Sequence, residues 1–294
     1  MHSSIRTLAA VIILLTGASV TRAADESYAI KLHRPSKAGD VYDTKISIEN
    51  TRSIVSKPPN GPAQEQKETV AGDISGRVRV TAVDAKGEPS QFSITVTKFT
   101  FGPAAREVVP KGKVIEVTRD EKEVTCKLSD GSEISPDAMA VLQAFYSPIS
   151  KDAPNDDQVF GSKIPRRVGE SWPLDANQLA RDVVAKGGKL DPKHASGTFK
   201  LKAIEDSPSG KAMRIEGSAE MKNLMLGEMP PGTTVTESQT KLQVSGLFPL
   251  DPEKQELESI SVMDVKIKMI GTNSATVEVV GHGFKKTIST PVAK

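Results

Sequence analysis

The strongest constraint on the fold is a strand, turn and strand pattern that occurs twice. Residues 196–221 read SGTFKLKAIEDSPSGKAMRIEGSAEM, and residues 75–99 form a looser copy, SGRVRVTAVDAKGEPSQFSITVTKF. In the looser copy Val78 and Val80 alternate with polar or charged residues, a period of two that is typical of a half-buried strand. A single hairpin cannot bury its apolar side alone. The repetition therefore predicts an internally duplicated antiparallel sheet.

The amino terminus has the features of a secretory signal peptide. Arg6 precedes an apolar run at residues 8–15, and small residues surround Ala23. The run is far shorter than the roughly 20 residues that a membrane-spanning helix needs. We therefore expect residues 1–23 to be removed on export. The exported chain would have no transmembrane segment and would reside in the periplasm, on the cell surface or outside the cell.

Removal of this segment changes the charge balance and so the expected partners. Loss of Arg6 and Arg22 lowers the 39 basic residues to 37, equal to the 37 acidic ones. A formally neutral chain lacks the basic patch by which proteins attract nucleic acid or anionic lipid, so we expect no nucleic-acid partner. The single cysteine, Cys126, allows no internal disulfide, and it alternates with apolar residues as a buried side chain would.

The remaining pattern predicts a mainly β, antiparallel and internally duplicated curved sheet, or an incomplete barrel. Two short accessory helices are expected at about 135–146 and 176–186, because Ser135 and Asp175 are good capping residues at their starts. We expect a first β half at 24–150, a junction loop at 151–168 and a second β half at 169–294, and the halves can share one sheet.

Several finer details follow from the apolar periodicity. The inward side of the first helix is expected to carry Met139, Leu142 and Phe145, and that of the second Leu179 and Val183. The inward positions shift along residues 256–270, which predicts a bulge near Met263 and Asp264. Residues 275–280 and 284–288 are expected to form a final hairpin, with Gly281, His282 and Gly283 as its turn.

No stretch of the chain carries a recognised catalytic or metal-binding motif. His33, His194 and His282 lack zinc-ligand spacing, and no nucleophile elbow or phosphate-binding glycine loop occurs. Residues 152–157 contain Asp152, Asn155, Asp156 and Asp157 but lack the glycine and distal glutamate of a calcium loop. We therefore interpret these residues as ordinary polar side chains that face solvent. We therefore predict no catalytic residues, no metal site and no cofactor.

An apolar, methionine-containing loop at residues 223–232 is the candidate contact surface. Methionine adapts to irregular surfaces, so such a loop either packs on the core or is offered to a partner. The only tryptophan, Trp172, likewise either packs in the core or contacts a partner. The candidate contact residues are Leu224, Met225, Leu226, Met229 and Trp172.

A short motif precedes the strands of each half: Gly39-Asp40-Val41-Tyr42 in the first and Gly169-Glu170-Ser171-Trp172 in the second. With this arrangement the chain resembles exported bacterial proteins of unknown function over most of its mature length. The resemblance implies a periplasmic or cell-surface setting and a mainly antiparallel β fold. A curved sheet covered by a helix is also similar to the half-open barrels of periplasmic lipoprotein carriers. That likeness is an analogy of fold and transfers no site residues.

These observations leave three hypotheses for function. The first is a non-enzymatic exported binding protein that takes an apolar small molecule, a lipid or an envelope protein, on the concave side of its sheet or at the loop 225–229. The second is a hydrolase whose acid and base residues assemble only in the fold, and the third is a structural scaffold of the cell envelope. An apolar cavity favours the first, a polar cleft with carboxylates of perturbed pKa the second, and a solid core with an exposed apolar patch the third.

Overall fold

A computed structural model describes residues 26–226, 232–271 and 274–292, apart from the side chain of Leu226. The predicted signal peptide lies outside these residues. Within them the strands are β1 (Ser27–Tyr28), β2 (Val41–Lys57), β3 (Gln64–Val83), β4 (Pro89–Phe101), β5 (Arg106–Glu107), β6 (Val114–Arg119), β7 (Val124–Leu128), β8 (Arg166–Arg167), β9 (Ser171–Pro173), β10 (Gly188–Lys189), β11 (Ala195–Ser207), β12 (Gly210–Lys222), β13 (Met225–Leu226), β14 (Thr234–Pro249), β15 (Glu258–Ile270) and β16 (Thr276–Pro291). The helices are α1 (Pro136–Phe145), α2 (Asp156–Val159) and α3 (Ala176–Ala185), with a 3-10 turn at Pro192–His194.

Twelve of these strands form one antiparallel sheet that is not closed. Its order is β7-β6-β4-β3-β2-β16-β15-β14-β12-β11-β9, and β5 pairs with β4. The two halves share the sheet because β2 pairs with β16 along their length, from Tyr42 opposite Pro291 to Lys57 opposite Thr276. The prediction of a mainly β, antiparallel, incompletely closed sheet with short accessory helices is confirmed.

The two copies of the repeated pattern pair with their neighbours in the same backbone register. Each copy follows a glycine with a positive φ, +93° in the first half and +91° in the second. In each half the glycine N–H donates to a backbone carbonyl within the copy that follows it. The strand pairing of that copy shifts register just after the residue that supplies the carbonyl. The matched pairs are Gly39 with Val80 and Tyr42 with Val78 in the first half, and Gly169 with Leu201 and Trp172 with Phe199 in the second. This correspondence is the one that a duplicated unit would produce.

The first-half core lies between the sheet and α1. Phe99 and Leu142 are 0% exposed there, and Ser135 caps the helix by accepting a hydrogen bond from the Ala138 N–H at 3.3 Å. Leu142 faces inward as predicted and Phe145 is half-buried against the core, but Met139 does not belong to the buried side. Helical periodicity explains this correction, since residues 138, 141, 142 and 145 make one continuous face and residue 139 lies beside it.

The second-half core lies between the sheet and α3, on the same face of the sheet as the first. Leu179 and Val183 are buried as predicted, and Asp175 caps α3 by accepting hydrogen bonds from Asn177 N–H and Gln178 N–H. Trp172 anchors this core through its indole N–H, which donates to the Phe160 carbonyl at 2.8 Å. Among the described residues, the two cores form separate clusters of buried side chains.

The carboxyl-terminal region differs from the predicted hairpin. Residues 276–291 form one continuous strand, with Gly281 and Gly283 in extended backbone and His282 inside the strand. The predicted bulge near Met263 and Asp264 is also wrong, because β15 keeps an unbroken register with both neighbours there. Both errors have one cause: β15 and β16 are half-exposed on both faces, so neither strand has to keep its apolar residues on one side.

Two irregular segments cross the sheet between the cores, and the predicted junction loop forms much of the second. Residues 26–38 place Ile30 and Leu32 in the second-half core, while the Ser36 N–H donates to the Gly87 carbonyl of the first half at 2.8 Å. Residues 146–160 run from Tyr146, beside the first-half core, to Val159 in the second and include the short helix α2. The sheet, the two cores and these segments enclose the space considered below.

Asp157 holds the two crossing segments together. Its carboxylate accepts hydrogen bonds from the backbone N–H groups of Leu32 at 2.5 Å and His33 at 3.1 Å. Charge-assisted bonds of this kind contribute about 1.5–3 kcal/mol each. We therefore expect Asp157→Ala to lower the free energy of unfolding by about 2 kcal/mol in urea titration. Asp152→Ala, an exposed position in the same segment, is the control, and equal effects of the two variants would contradict this role.

Candidate functional site

A cleft of about 430 Å³ lies between the two halves of the sheet. One side is charged or polar and comes mainly from the first half and the crossing segments. The other side is mainly apolar and comes from the second half, where α3 and the residue after it also contribute a charged pair. The charged side chains are His33, Lys86, Glu88, Arg119, Asp156, Asp182 and Lys186, and the apolar ones include Met221, Leu224, Leu242, Met263 and Val265. Such a two-sided cleft is suited to a ligand that has both an apolar and a polar part.

The apolar side of the cleft continues along the sheet beyond both cores. Directly paired residues of antiparallel strands project from the same face, which we call the inner face where it carries the cores. On β15 and β16 that face presents six half-buried or exposed residues that belong to neither core, and we call them the apolar strip. They are Met263, Val265, Ile267, Met269, Val277 and Val279.

The opposite face of the same two strands is mixed. It carries three ion pairs: Lys266 Nζ lies 3.4 Å from Glu278 Oε1, His282 Nδ1 lies 2.7 Å from Asp264 Oδ1, and Lys268 pairs with Glu237 at 2.6 Å. Apolar residues such as Val262, Val280 and Phe284 lie between these pairs. The inner face of β15 and β16 differs from it in carrying the apolar strip without ion pairs among its own residues.

The inner face becomes polar where the apolar strip ends. Lys285 lies opposite Ser261 on β15 and Ile48 on β2. Its ammonium donates to the Phe145 carbonyl at 3.2 Å and lies 4.0 Å from the centre of the Phe145 ring. Burial lowers the pKa of Lys285 to about 8, and the nearby Arg119 guanidinium acts in the same direction. Glu256 opposes that shift only in part.

Three cations hold the segment that follows α1 against the sheet. Besides Lys285, Arg119 donates from Nε to the Ser147 carbonyl at 2.9 Å, and Lys86 donates from Nζ to the Ala153 carbonyl at 2.6 Å. Each of these bonds joins a cation to a neutral carbonyl oxygen. The positive charge on this side of the cleft is therefore largely available to act on a further group.

Two carboxyl groups in this region hold protons more strongly than usual. Burial raises the pKa of Glu256 to about 8, and the neighbouring charge of Asp156 adds to the effect. Burial and the charge of Glu88 raise the pKa of Asp156 to about 6. Asp156 is nevertheless exposed at the cleft surface, where solvent reduces the effect of burial on its carboxyl group. Asp156 lines the cleft, whereas Glu256 does not.

Arg34 joins the first crossing segment to the second half. Its guanidinium donates to the carbonyls of Lys31, Pro249 and Asp251 and lies over the Phe248 ring at 5.7 Å. Burial lowers its pKa, and Nε has no hydrogen-bond partner among the described residues. The donors that it uses are committed to backbone carbonyls, so Arg34 has a structural role in holding the first crossing segment against the second half.

The predicted contact residues lie in different places. Leu224 lines the cleft and is 6% exposed, and Met225 is half-buried beside it, paired with Lys189. Leu226 pairs with Gly188 through its backbone, and Met229 lies outside the described residues. Trp172 is 3% exposed in the second-half core and does not line the cleft. The structure thus brings Leu224 to the cleft and leaves the roles of the other four as predictions.

Other features of the described chain are weaker candidates for a functional site. A groove of about 800 Å³ near Tyr42 and Arg79 is lined largely by exposed residues, and Arg77 there is already paired with Asp43 at 2.8 Å. Burial raises the pKa of the Cys126 thiol to about 11, which makes it a poor nucleophile. Within residues 26–226, 232–271 and 274–292, no group of three potential metal ligands is assembled. No helix in those ranges combines the length and apolar character needed to cross a membrane.

Sequence reasoning missed the most informative residues of the inner face. Gly281 and Gly283 suggested a turn, which hid the long strand that carries Val279 and Lys285. Lys285 and Lys286 drew no prediction from the sequence, and their side chains lie on opposite faces of β16. The signal that could have found them is the alternation of Val277, Val279 and Gly281 with charged or polar residues.

Comparisons with known proteins do not define a family. No family model matches the chain, and no curated protein matches it. Among solved structures, the outer membrane protein OprG from Pseudomonas aeruginosa is 10% identical, with 88% of this chain and 99% of that chain covered and a TM-score of 0.21. A LolA superfamily protein from Nitrosomonas europaea is 8% identical, with 88% and 89% covered and a TM-score of 0.15. A protein of unknown function from Nostoc punctiforme is 12% identical, with 86% and 96% covered and a TM-score of 0.10. Likenesses this weak carry no conclusion about function.

Proposed function

We propose that this is an exported, non-enzymatic binding protein that takes the apolar chain of an amphipathic ligand on the inner face of its sheet. The observation that carries the proposal is the apolar strip, which is continuous with the apolar side of the cleft and is covered by neither core. Export is supported by the signal-peptide pattern of residues 1–23. The duplication of one sheet unit, supported by the matching registers of the two copies, accounts for the two walls of the cleft.

The uncovered state of the apolar strip supports binding by the inner face. An apolar sheet surface normally packs against another layer. On β15 and β16 none of the described elements supplies that layer. A bound apolar chain would do so, and burying apolar surface stabilises a complex by about 25 cal/mol per Å² before the costs of association.

A pair of matched substitutions tests this function. Met263 on the inner face is 41% exposed and Val280 on the opposite face is 48% exposed, so a charge at either position leaves the cores intact. We expect Met263→Glu to weaken binding of a fluorescent long-chain alcohol at least tenfold, because a carboxylate on the strip must be desolvated by the chain. Val280→Glu should bind like the wild type.

Two outcomes would contradict the proposal. The first is a wild-type protein that binds no long-chain compound in fluorescence titration and that yields only its own mass in native mass spectrometry after mild purification. The second is equal binding by the two variants. Light scattering at several concentrations belongs to the same experiment, because a dimer abolished by Met263→Glu would show that a second copy covers the strip.

A hydrolase is the second candidate, and a specific observation favours it. The charge of Asp156 helps to raise the pKa of Glu256 to about 8, while that of Asp156 itself is raised to about 6, the kind of separation that assigns acid and base roles. Against it, only Asp156 lines the cleft. Hydrolysis of model esters or glycosides that is lost in Asp156→Asn and retained in Asp152→Asn would favour the enzyme over the binding protein.

A further inference from the structure

The inner face of β16 has a charged end at Lys285 and an apolar end in the apolar strip. The proposed function does not say which part of the ligand lies at the charged end. None of the described carboxylates forms an ion pair with the Lys285 ammonium, whose partners are one carbonyl oxygen and one aromatic ring. Its neighbour Lys286, on the opposite face, is paired with Glu258 at 3.4 Å. A half-buried ammonium without a counter-ion is costly unless something compensates it.

The surface between Lys285 and the far end of the apolar strip carries two glycines along β16. The inner-face positions of β16 beyond Lys285 are Gly283, Gly281, Val279 and Val277. Gly281 leaves space between Val265 and Arg52, whereas at Gly283 the Asn50 Oδ1 already lies 3.0 Å from the position that a Cβ atom would take. Glycine inside a strand often marks a place where a ligand approaches the backbone closely.

The fold does not require glycine at position 281. Its backbone is extended, and a Cβ atom there would lie 3.7 Å from the Thr51 carbonyl oxygen and 3.8 Å from the Val265 Cβ, which are ordinary contacts. By contrast, a Cβ atom at Gly217 in the second-half core would collide with the Phe199 ring. The empty space at Gly281 is thus not explained by packing within the described chain.

Building on the proposed function, we infer that the ligand is an unbranched long-chain carboxylate, which lies along β16 with its carboxylate at Lys285 and its tail over Gly281 toward Val277. Lys285 and Val277 are eight residues apart, which is roughly 27 Å along a strand and suits a long chain rather than a short one. One ammonium and the Ser261 hydroxyl opposite it match a singly charged carboxylate. A phosphate ester would favour a second cation without a counter-ion, but Arg119, the cation that acts on Lys285, also lies 3.9 Å from the Glu88 carboxylate.

The test compares two ligands of equal length that differ only in head group. Equilibrium dialysis of palmitate and of hexadecanol, below the concentrations at which they aggregate, is carried out at neutral pH with four proteins. We expect the wild type to bind palmitate at least tenfold more tightly than hexadecanol. The preference should disappear in Lys285→Met, remain in Lys285→Arg and remain in Lys286→Met, the matched control on the opposite face.

Each outcome separates this inference from the proposed function. Equal binding of palmitate and hexadecanol by the wild type, or a preference unchanged in Lys285→Met, overturns the assignment of the head group and leaves the apolar binding function standing. Failure of the wild type to bind either compound contradicts the proposed function itself. Tighter binding of hexadecyl phosphate than of palmitate overturns the carboxylate in favour of a phosphate ester. Folding of each variant is checked by circular dichroism, and Lys285→Gln, which also lacks the charge, replaces Lys285→Met if the latter is unstable; a preference unchanged in Lys285→Gln overturns the assignment equally.

Discussion

Replacing Gly281 by valine is expected to reduce long-chain binding at least a hundredfold while changing the free energy of unfolding by less than about 1 kcal/mol. The valine side chain would project from the inner face into the space that the chain occupies in our proposal. Its Cβ atom makes only ordinary contacts, and valine favours strands more than glycine does. Binding is measured by titration with a fluorescent fatty acid, and stability by urea unfolding.

Two further glycine substitutions serve as comparisons for the stability of Gly281→Val. Gly281→Ala adds only a methyl group and is expected to raise stability by about 0.5 kcal/mol because it removes the entropic cost of glycine in a strand. Gly217→Val should lower stability by about 1–3 kcal/mol or more, because the new side chain must displace the Phe199 ring from the second-half core. A Gly281→Val protein that binds fatty acid normally would show that the chain does not run along β16.

The second large effect is a loss of stability as the pH rises from about 5 to 8. The pKa of Glu256 is about 8 in the folded protein against an ordinary value of 4.5, so the folded state holds a proton that the unfolded state releases in this window. Stability falls with pH wherever the folded state binds more protons. We expect a decrease on the order of 2 kcal/mol, less than the full shift implies because Glu256 retains some contact with solvent.

Lys285 should produce the opposite trend at higher pH. Its folded pKa of about 8 lies below its ordinary 10.5, so between these values the unfolded state binds more protons and stability rises with pH. Arg119 and Glu256 are the charged groups that act on it. Urea unfolding across this pH range should therefore show a minimum near pH 8. Glu256→Gln should flatten the descending limb, and Lys285→Met the rising one. A wild-type curve without a minimum would show that these groups are not buried as described.

Much of the fold could be predicted from sequence because its signals are local. The start of α1 at Pro136 is encoded by the serine before it, and the inward positions of β3 by strict alternation. Prediction failed on β15 and β16 because neither face of these strands lies in a core. The spacing of their apolar residues therefore does not indicate how the strands pair. Gly281 and Gly283 then resembled a turn, since the strand partners that keep them extended are Arg52 and Asn50, more than two hundred residues earlier.

The sequence predicted the type of candidate site but not the residues that form it. An apolar surface on the sheet was expected, but the residues chosen for it, such as Met225 and Trp172, were selected for apolar character within a single stretch of chain. The site described here combines Leu224 from the loop after β12, Met263 from β15 and Lys86 from the turn after β3. Such convergence depends on strand order, which the sequence alone does not reveal. The shifted pKa values of Asp156 and Glu256 depend on the same convergence.

The pairing of β2 with β16, which we call the seam, has a consequence for aggregation of a newly made chain. Tyr42 lies opposite Pro291, so the seam joins residues from nearly opposite ends of the described chain. Such distant pairings form slowly, because the entropy of closing the intervening loop must be overcome first. Until β16 is synthesised and docks, one side of the 17-residue strand β2 has unpaired backbone groups that another chain could capture. A helper protein that shields β2 during this interval would protect the molecule more effectively than one that shields either core.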